Sequence, residues 1–143
     1  MKRLALFLPL LGCGGSDAPA GPEAAAQTEL PAGEGAWSNA HGFYAVWRPI
    51  EGEVPLNDEF TAEVWLFEDE AGTRPLEDAA VVIDCRMPAH RHGMLSDVDL
   101  LHQGGGRYVA EGMMCHMLGH WELYVDLTRG PITERVQWDL DLE

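Results

Sequence analysis

The sequence predicts an all-β fold, an immunoglobulin-like sandwich of two sheets and about seven strands, on three observations. Apolar side chains recur with a period of two along several runs, as strands with one buried and one wet face require. Turn signals break those runs at short intervals, at Glu70-Ala71-Gly72, Gly104-Gly105-Gly106 and Arg129-Gly130-Pro131. No stretch carries a convincing apolar helical stripe. Two packed sheets are the best account of this pattern, with an open β-barrel as the second choice.

In chain order, a first strand is expected around Gly42–Arg48. The second follows from Phe60, Ala62, Val64 and Leu66, which alternate with polar or exposed positions. A third, Ala80–Arg86, puts Val81, Ile83 and Cys85 on one face. Val98–His102 and Arg107–Met113 form a pair around the triple glycine, which reads as a hairpin turn. Trp121, Leu123, Val125 and Leu127 mark the next strand, and Val136, Trp138, Leu140 and Leu142 the last. There is no internal repeat.

Before this region the chain has a different character. Met1-Lys2-Arg3 is a positive start, and Leu4 to Leu11 is an apolar run too short to span a bilayer. Leu10-Leu11-Gly12-Cys13 has the pattern of a lipobox, so residues 1–12 are expected to be a lipoprotein signal and Cys13 the lipidated residue. Residues 13–36 then read as lipidated cysteine and flexible tether, because Leu30 is the only large apolar side chain from Gly14 to Ala36. Residues 37–143 have the length of one small domain. The expected location is extracytoplasmic, with the N-terminal lipid as the membrane attachment. Gly14, where an aspartate would signal inner-membrane retention, favours the outer membrane facing the periplasm.

With Lys2 and Arg3 removed, 24 acidic residues face seven arginines and no lysine. Such a charge opposes nucleic acid and anionic headgroups as partners. Enzymatic motifs are missing: no serine elbow, no phosphate-cradling loop before a helix, no paired acids in a recognisable setting. The expectation is a protein without catalytic activity.

The chemistry gathers in two short windows. Every methionine after the initiator lies in Met87-Pro88-Ala89-His90-Arg91-His92-Gly93-Met94 or in Met113-Met114-Cys115-His116-Met117-Leu118-Gly119-His120, with four of the six histidines. Each window ends or follows an expected strand, so both can occupy one end of a sandwich. Thioether, imidazole and thiolate together select copper, Cu(I) above all, whereas zinc gains little from methionine. Methionine also binds soft metals without losing a proton. Core packing competes for Met87, which shares parity with Val81 and Ile83, and for Met114, which shares parity with Tyr108 and Ala110. His90, His92 and Met94 lie in a Pro- and Gly-containing loop where packing explains less. His116, Met117 and His120 are each open to a ligand, surface or capping role. His41 and His102 are isolated and read as surface residues.

Cys85 and Cys115 remain after Cys13 is lipidated, and an oxidising compartment makes them a disulfide candidate. Strand parity opposes this: Cys85 shares the core face, but Cys115 is out of step with Met114 and points away unless a bulge intervenes. A bridge, a Cys115 metal ligand and two free thiols all stay open. A blue-copper site is a poor match, because no methionine follows His120 within the next few residues.

With these residues in view, the chain from Trp37 onward resembles the YtkA-like and FixH-like domains of exported bacterial proteins. The resemblance rests on Met87-Pro88-x-His90-x-His92-Gly93-Met94, Gly106-Arg107-Tyr108 and Met117-x-Gly119-His120-Trp121-Glu122-Leu123. It implies a small β-sandwich and, for some members, copper handling or oxidase assembly. Cys85 and Met113-Met114-Cys115-His116 lie outside the pattern. The expected site is His90, His92, Met94 and Met87 with Met117, His120 and Cys115, in a tethered protein that stores copper or passes it to or from a partner protein. The alternative is a structural or protein-interaction sandwich without metal.

Overall fold

The computed structural model describes residues 29–143. The signal, Cys13 and most of the tether fall outside them. Two antiparallel sheets face each other, as expected. Sheet I has the order β1-β2-β3-β7-β6, from β1 (Glu34–Trp37), β2 (Tyr44–Pro49), β3 (Glu59–Phe67), β7 (Arg107–Met114) and β6 (Asp99–Gly104). Sheet II has the order β5-β4-β8-β9, from β5 (His92–Gly93), β4 (Ala80–Met87), β8 (Gly119–Arg129) and β9 (Ile132–Leu142).

Among the described residues there are nine strands rather than about seven. The two extra ones are short and carry no alternation a reader could detect. β1 begins at Glu34, so the folded domain starts three residues before Trp37, inside the expected tether. Backbone pairing with β2, not side-chain burial, makes this strand. Gly35 permits it, since a Cβ there would lie 2.1 Å from the Tyr44 hydroxyl.

The core forms from the expected alternating positions: Phe60, Ala62, Val64 and Leu66 of β3, Trp121, Leu123, Val125 and Leu127 of β8, and Val136, Trp138 and Leu140 of β9. The outer face of sheet I holds a second, smaller cluster of Val46, Trp65 and Phe67. Beside it Glu63 is buried between Arg48 and Arg107. Burial raises its carboxyl pKa, but hydrogen bonds and charge from the two arginines outweigh this and hold it below the ordinary range.

One irregularity controls the site. Phe60 pairs with Met113 and Ala62 with Ala110, so Glu111 and Gly112 together stand opposite Thr61. That is a β-bulge, and it reverses the facing of all that follows on β7. Met113, not Met114, is the buried member of the pair, and Cys115 turns fully inward. The parity argument against an inward Cys115 is thereby corrected. Gly112 adopts φ +78°, and a Cβ there would meet the Asp97 carbonyl oxygen at 3.0 Å. Gly112→Ala is expected to cost about 1–3 kcal/mol from left-handed backbone strain and this contact. Urea denaturation of the variant checks it; unchanged stability would mean the bulge does not depend on glycine.

Candidate metal centre

The first window is a tight reversal. β4 ends at Met87, Pro88–His90 forms one 3-10 turn, and Arg91 takes the left-handed conformation (φ 57°). His92 and Gly93 then run back along Met87 and Arg86. The Met94 N–H continues the reversal by donating to the Cys85 carbonyl at 3.2 Å. The second window is the crossover between sheets: β7 ends at Met114, Cys115 pairs with Leu56, and β8 opens at Gly119. Since β4 and β8 are antiparallel neighbours, the end of one meets the start of the other. Both windows therefore share one end of the sandwich.

There the His92 and His116 rings lie 4.9 Å apart, centroid to centroid, tilted by 31°. Each also meets the buried Trp121 indole near edge-on, at 5.6 Å and 5.4 Å. Nδ1 of His92 lies 3.0 Å from the Gly93 carbonyl oxygen. A carbonyl only accepts, so Nδ1 carries a proton, and in the neutral ring Nε2 then has a free lone pair. That Nε2 is buried without a partner, and so is Nδ1 of His116. A buried polar atom left unpaired costs about 1–3 kcal/mol, a cost that a bound metal ion would remove. A backbone carbonyl that fixes the tautomer from behind is the usual support of a metal-binding imidazole.

The methionines of the two windows lie at the same end of the sandwich. The Met94 thioether accepts the Met114 N–H at 3.3 Å, tying one window to the other. Met94 and Met117 are half-buried against the core, and the Met117 carbonyl accepts the Trp121 indole N–H at 2.9 Å. Met87 is core, 3 % exposed, and a Cβ on Gly119 would lie 2.9 Å from its methyl carbon. His90 is exposed at the rim, with its ring 5.8 Å from that of His92.

Cys85 and Cys115 meet beneath this end as free cysteines, Sγ to Sγ at 3.6 Å, one from each sheet and both without exposed surface. Their mutual hydrogen bond, then burial and the charge of Cys115, push the Cys85 thiol up. The same bond, accepted by Cys115, pulls the Cys115 thiol down against its burial. The pair can carry one thiolate and not two.

His120 does not join the group. It has the opposite parity to the inward Trp121, so it stands on the outer face of sheet II, apart from His92 and His116. Its Nδ1 lies 2.9 Å from Asp141, and Asp139 is 3.6 Å from its Nε2. Among the described residues, His120, Glu122 and Asp139 are the one set of three His, Cys or carboxylate donors within 4.8 Å of one another. Glu122, however, already accepts the Tyr124 hydroxyl, and Nδ1 of His120 is already engaged with Asp141. His116, left out of the expected set, is the histidine of the second window that lies beside His92. The alternation of Trp121 with Leu123 was the signal that could have separated them.

The YtkA-like family model matches residues 49–126, which include both windows and the bulge. The chain belongs to the YtkA-like family. No curated protein matches it. Its fold is similar to that of a DUF4426 family protein from Pseudomonas aeruginosa, with a TM-score of 0.47 and 10 % identity over 71 % of this chain and 88 % of that one. In this YtkA-like domain Met87-Pro88, His90, His92 and Met94 lie together in one reversal, whereas Met113 to His116, which follow the bulge at Glu111 and Gly112, bring in the inward cysteine and the second ring.

The His120 pairing has a measurable consequence. Its pKa is raised, first by the hydrogen bond to Asp141 and then by the charges of Asp141, Asp139 and Glu122. The stabilisation is therefore present in full below the ordinary histidine pKa of about 6.5 and lost as pH rises through the higher folded value. An NMR titration is expected to give His120 a midpoint above the ordinary range, and Asp141→Asn to lower it; no response to Asp141→Asn would remove the assignment.

Proposed function

We propose that this YtkA-like protein is a lipid-tethered, extracytoplasmic carrier that binds one copper ion as Cu(I) between its two sheets and stores it or exchanges it with a partner protein. The observation that carries the reading is the pair of buried, unpartnered imidazole nitrogens, His92 Nε2 and His116 Nδ1. Both belong to rings held side by side in a methionine-rich end. Two imidazoles with thioethers from Met94 and Met117 make a donor set that favours Cu(I) over Zn(II). His90, exposed at the rim, suits the first contact with an incoming ion. Cys115 faces inward and serves less well as a ligand than the sequence suggests.

A different class of reading, a metal-free interaction sandwich, has the dense packing of the windows in its favour. It leaves two buried nitrogens unsatisfied, which is why the metal reading is preferred. In competition titrations with a Cu(I) chelator, His92→Ala and His116→Ala are each expected to weaken binding by more than about tenfold, and His120→Ala to leave it unchanged. Equal affinity in all three variants would remove the site from this end of the fold.

The anchor is tested separately. Labelled fatty acid is expected to enter the wild-type protein and not Cys13→Ser. Equal labelling would place the lipid elsewhere.

A further inference from the structure

We propose that the Cys85–Cys115 dithiol is a built-in two-electron reductant that converts incoming Cu(II) to the Cu(I) held at His92 and His116. The inference rests on the copper site above and adds an activity to it. The two sulfurs are 3.6 Å apart and need to close by about 1.5 Å to form a bond of ordinary length. They come from different sheets, and the bulge at Gly112 is what aims the second at the first. Nothing in metal binding by imidazole and thioether requires this pair.

Access decides which oxidant the pair can meet. Thiol–disulfide exchange needs a partner sulfur to reach one of these sulfurs, and both are fully buried. A protein oxidant is therefore shut out while the domain is folded. A metal ion at the mouth is not, because electrons need no open path to solvent. Cys115 is the chain neighbour of His116, and the Cys85 carbonyl holds the Met94 N–H at 3.2 Å, so the dithiol is linked to both halves of the site. A donor set of imidazoles and thioethers stabilises Cu(I) relative to Cu(II), which makes copper bound there a stronger oxidant of the thiols.

The step balances with cupric ion as the only co-reactant. Two Cu(II) ions each take one electron: the first leaves the single site as Cu(I), the sulfur pair stays one electron short, and the second ion then enters and completes the oxidation. Two S–H bonds break, one S–S bond forms between Cys85 and Cys115, two protons go to water, and two Cu(I) ions result. The reaction is stoichiometric in protein.

The test uses the Cys13→Ser chain, reduced and free of oxygen, titrated with a Cu(II) salt. The first two equivalents are expected to give no Cu(II) electron paramagnetic resonance signal, and the third to give one. Mass spectrometry should then show the loss of two hydrogen atoms and no alkylation of the unfolded protein. His92→Ala/His116→Ala should slow thiol loss at least tenfold, and Cys85→Ala/Cys115→Ala should show the full signal from the first equivalent. A full signal in the Cys13→Ser chain with both thiols still alkylated would overturn the proposal. So would equally fast oxidation in the histidine variant, which would mean copper acts from outside the site. Cu(I) affinity, measured independently, separates the two readings: tight Cu(I) binding with intact thiols removes only the reductant, whereas absent Cu(I) binding removes the site beneath it. If the cysteine variant fails to fold, the stoichiometry in the Cys13→Ser chain and the rate in the histidine variant still decide.

Discussion

Glu111 and Gly112 share the place opposite Thr61 that a regular strand would give to one residue, and the geometry of the end that holds the two windows depends on that extra residue. Side chains on a strand alternate faces with period two, so one inserted residue inverts everything after it. Here the inversion sends Met113 and Cys115 into the core and leaves Met114 half-buried. It also sets the direction in which the chain leaves sheet I, and so where His116 comes to rest on its way to sheet II. The left-handed backbone at Gly112, close against the Asp97 carbonyl, is the local condition for the bulge.

The other half of the site is held by a different device. A single 3-10 turn and a left-handed Arg91 fold the first window back so that His92 lies opposite Met87 and its Nδ1 meets a carbonyl. The two imidazoles are thus delivered by β5 of sheet II and by the crossover from β7 to β8, and they meet over Trp121. A site made this way exists only when the sandwich is closed. In the reading proposed here, a bound metal ion would link the sheets at this end and stabilise the folded state through its preference for it. The cysteine pair lies across the same seam, one sulfur from each sheet.

Much of the sandwich was legible because half-buried strands write their burial into alternation. β3, β8 and β9 put the expected side chains in the core. β1 and β5 were not legible, because two or four residues paired through the backbone leave no periodic trace. The bulge had a trace, a lone glycine inside a strand pattern, but parity was carried straight through it, and that put Cys115 on the wrong side. His120 had a trace too, since the Trp121 register already assigned it to the polar face beside Glu122.

The sequence by itself determined the fold class and the donor chemistry of the two windows, because composition and period-two patterning are local properties. Which donors meet was decided only in the tertiary structure. His92 meets His116 and not His120, Met94 reaches Met114, and Cys85 faces Cys115. Each of these pairs spans the two sheets or the two windows, and its members are brought together by strand register, one bulge and one reversal. Register is a property of paired strands, so no single stretch of sequence contains it.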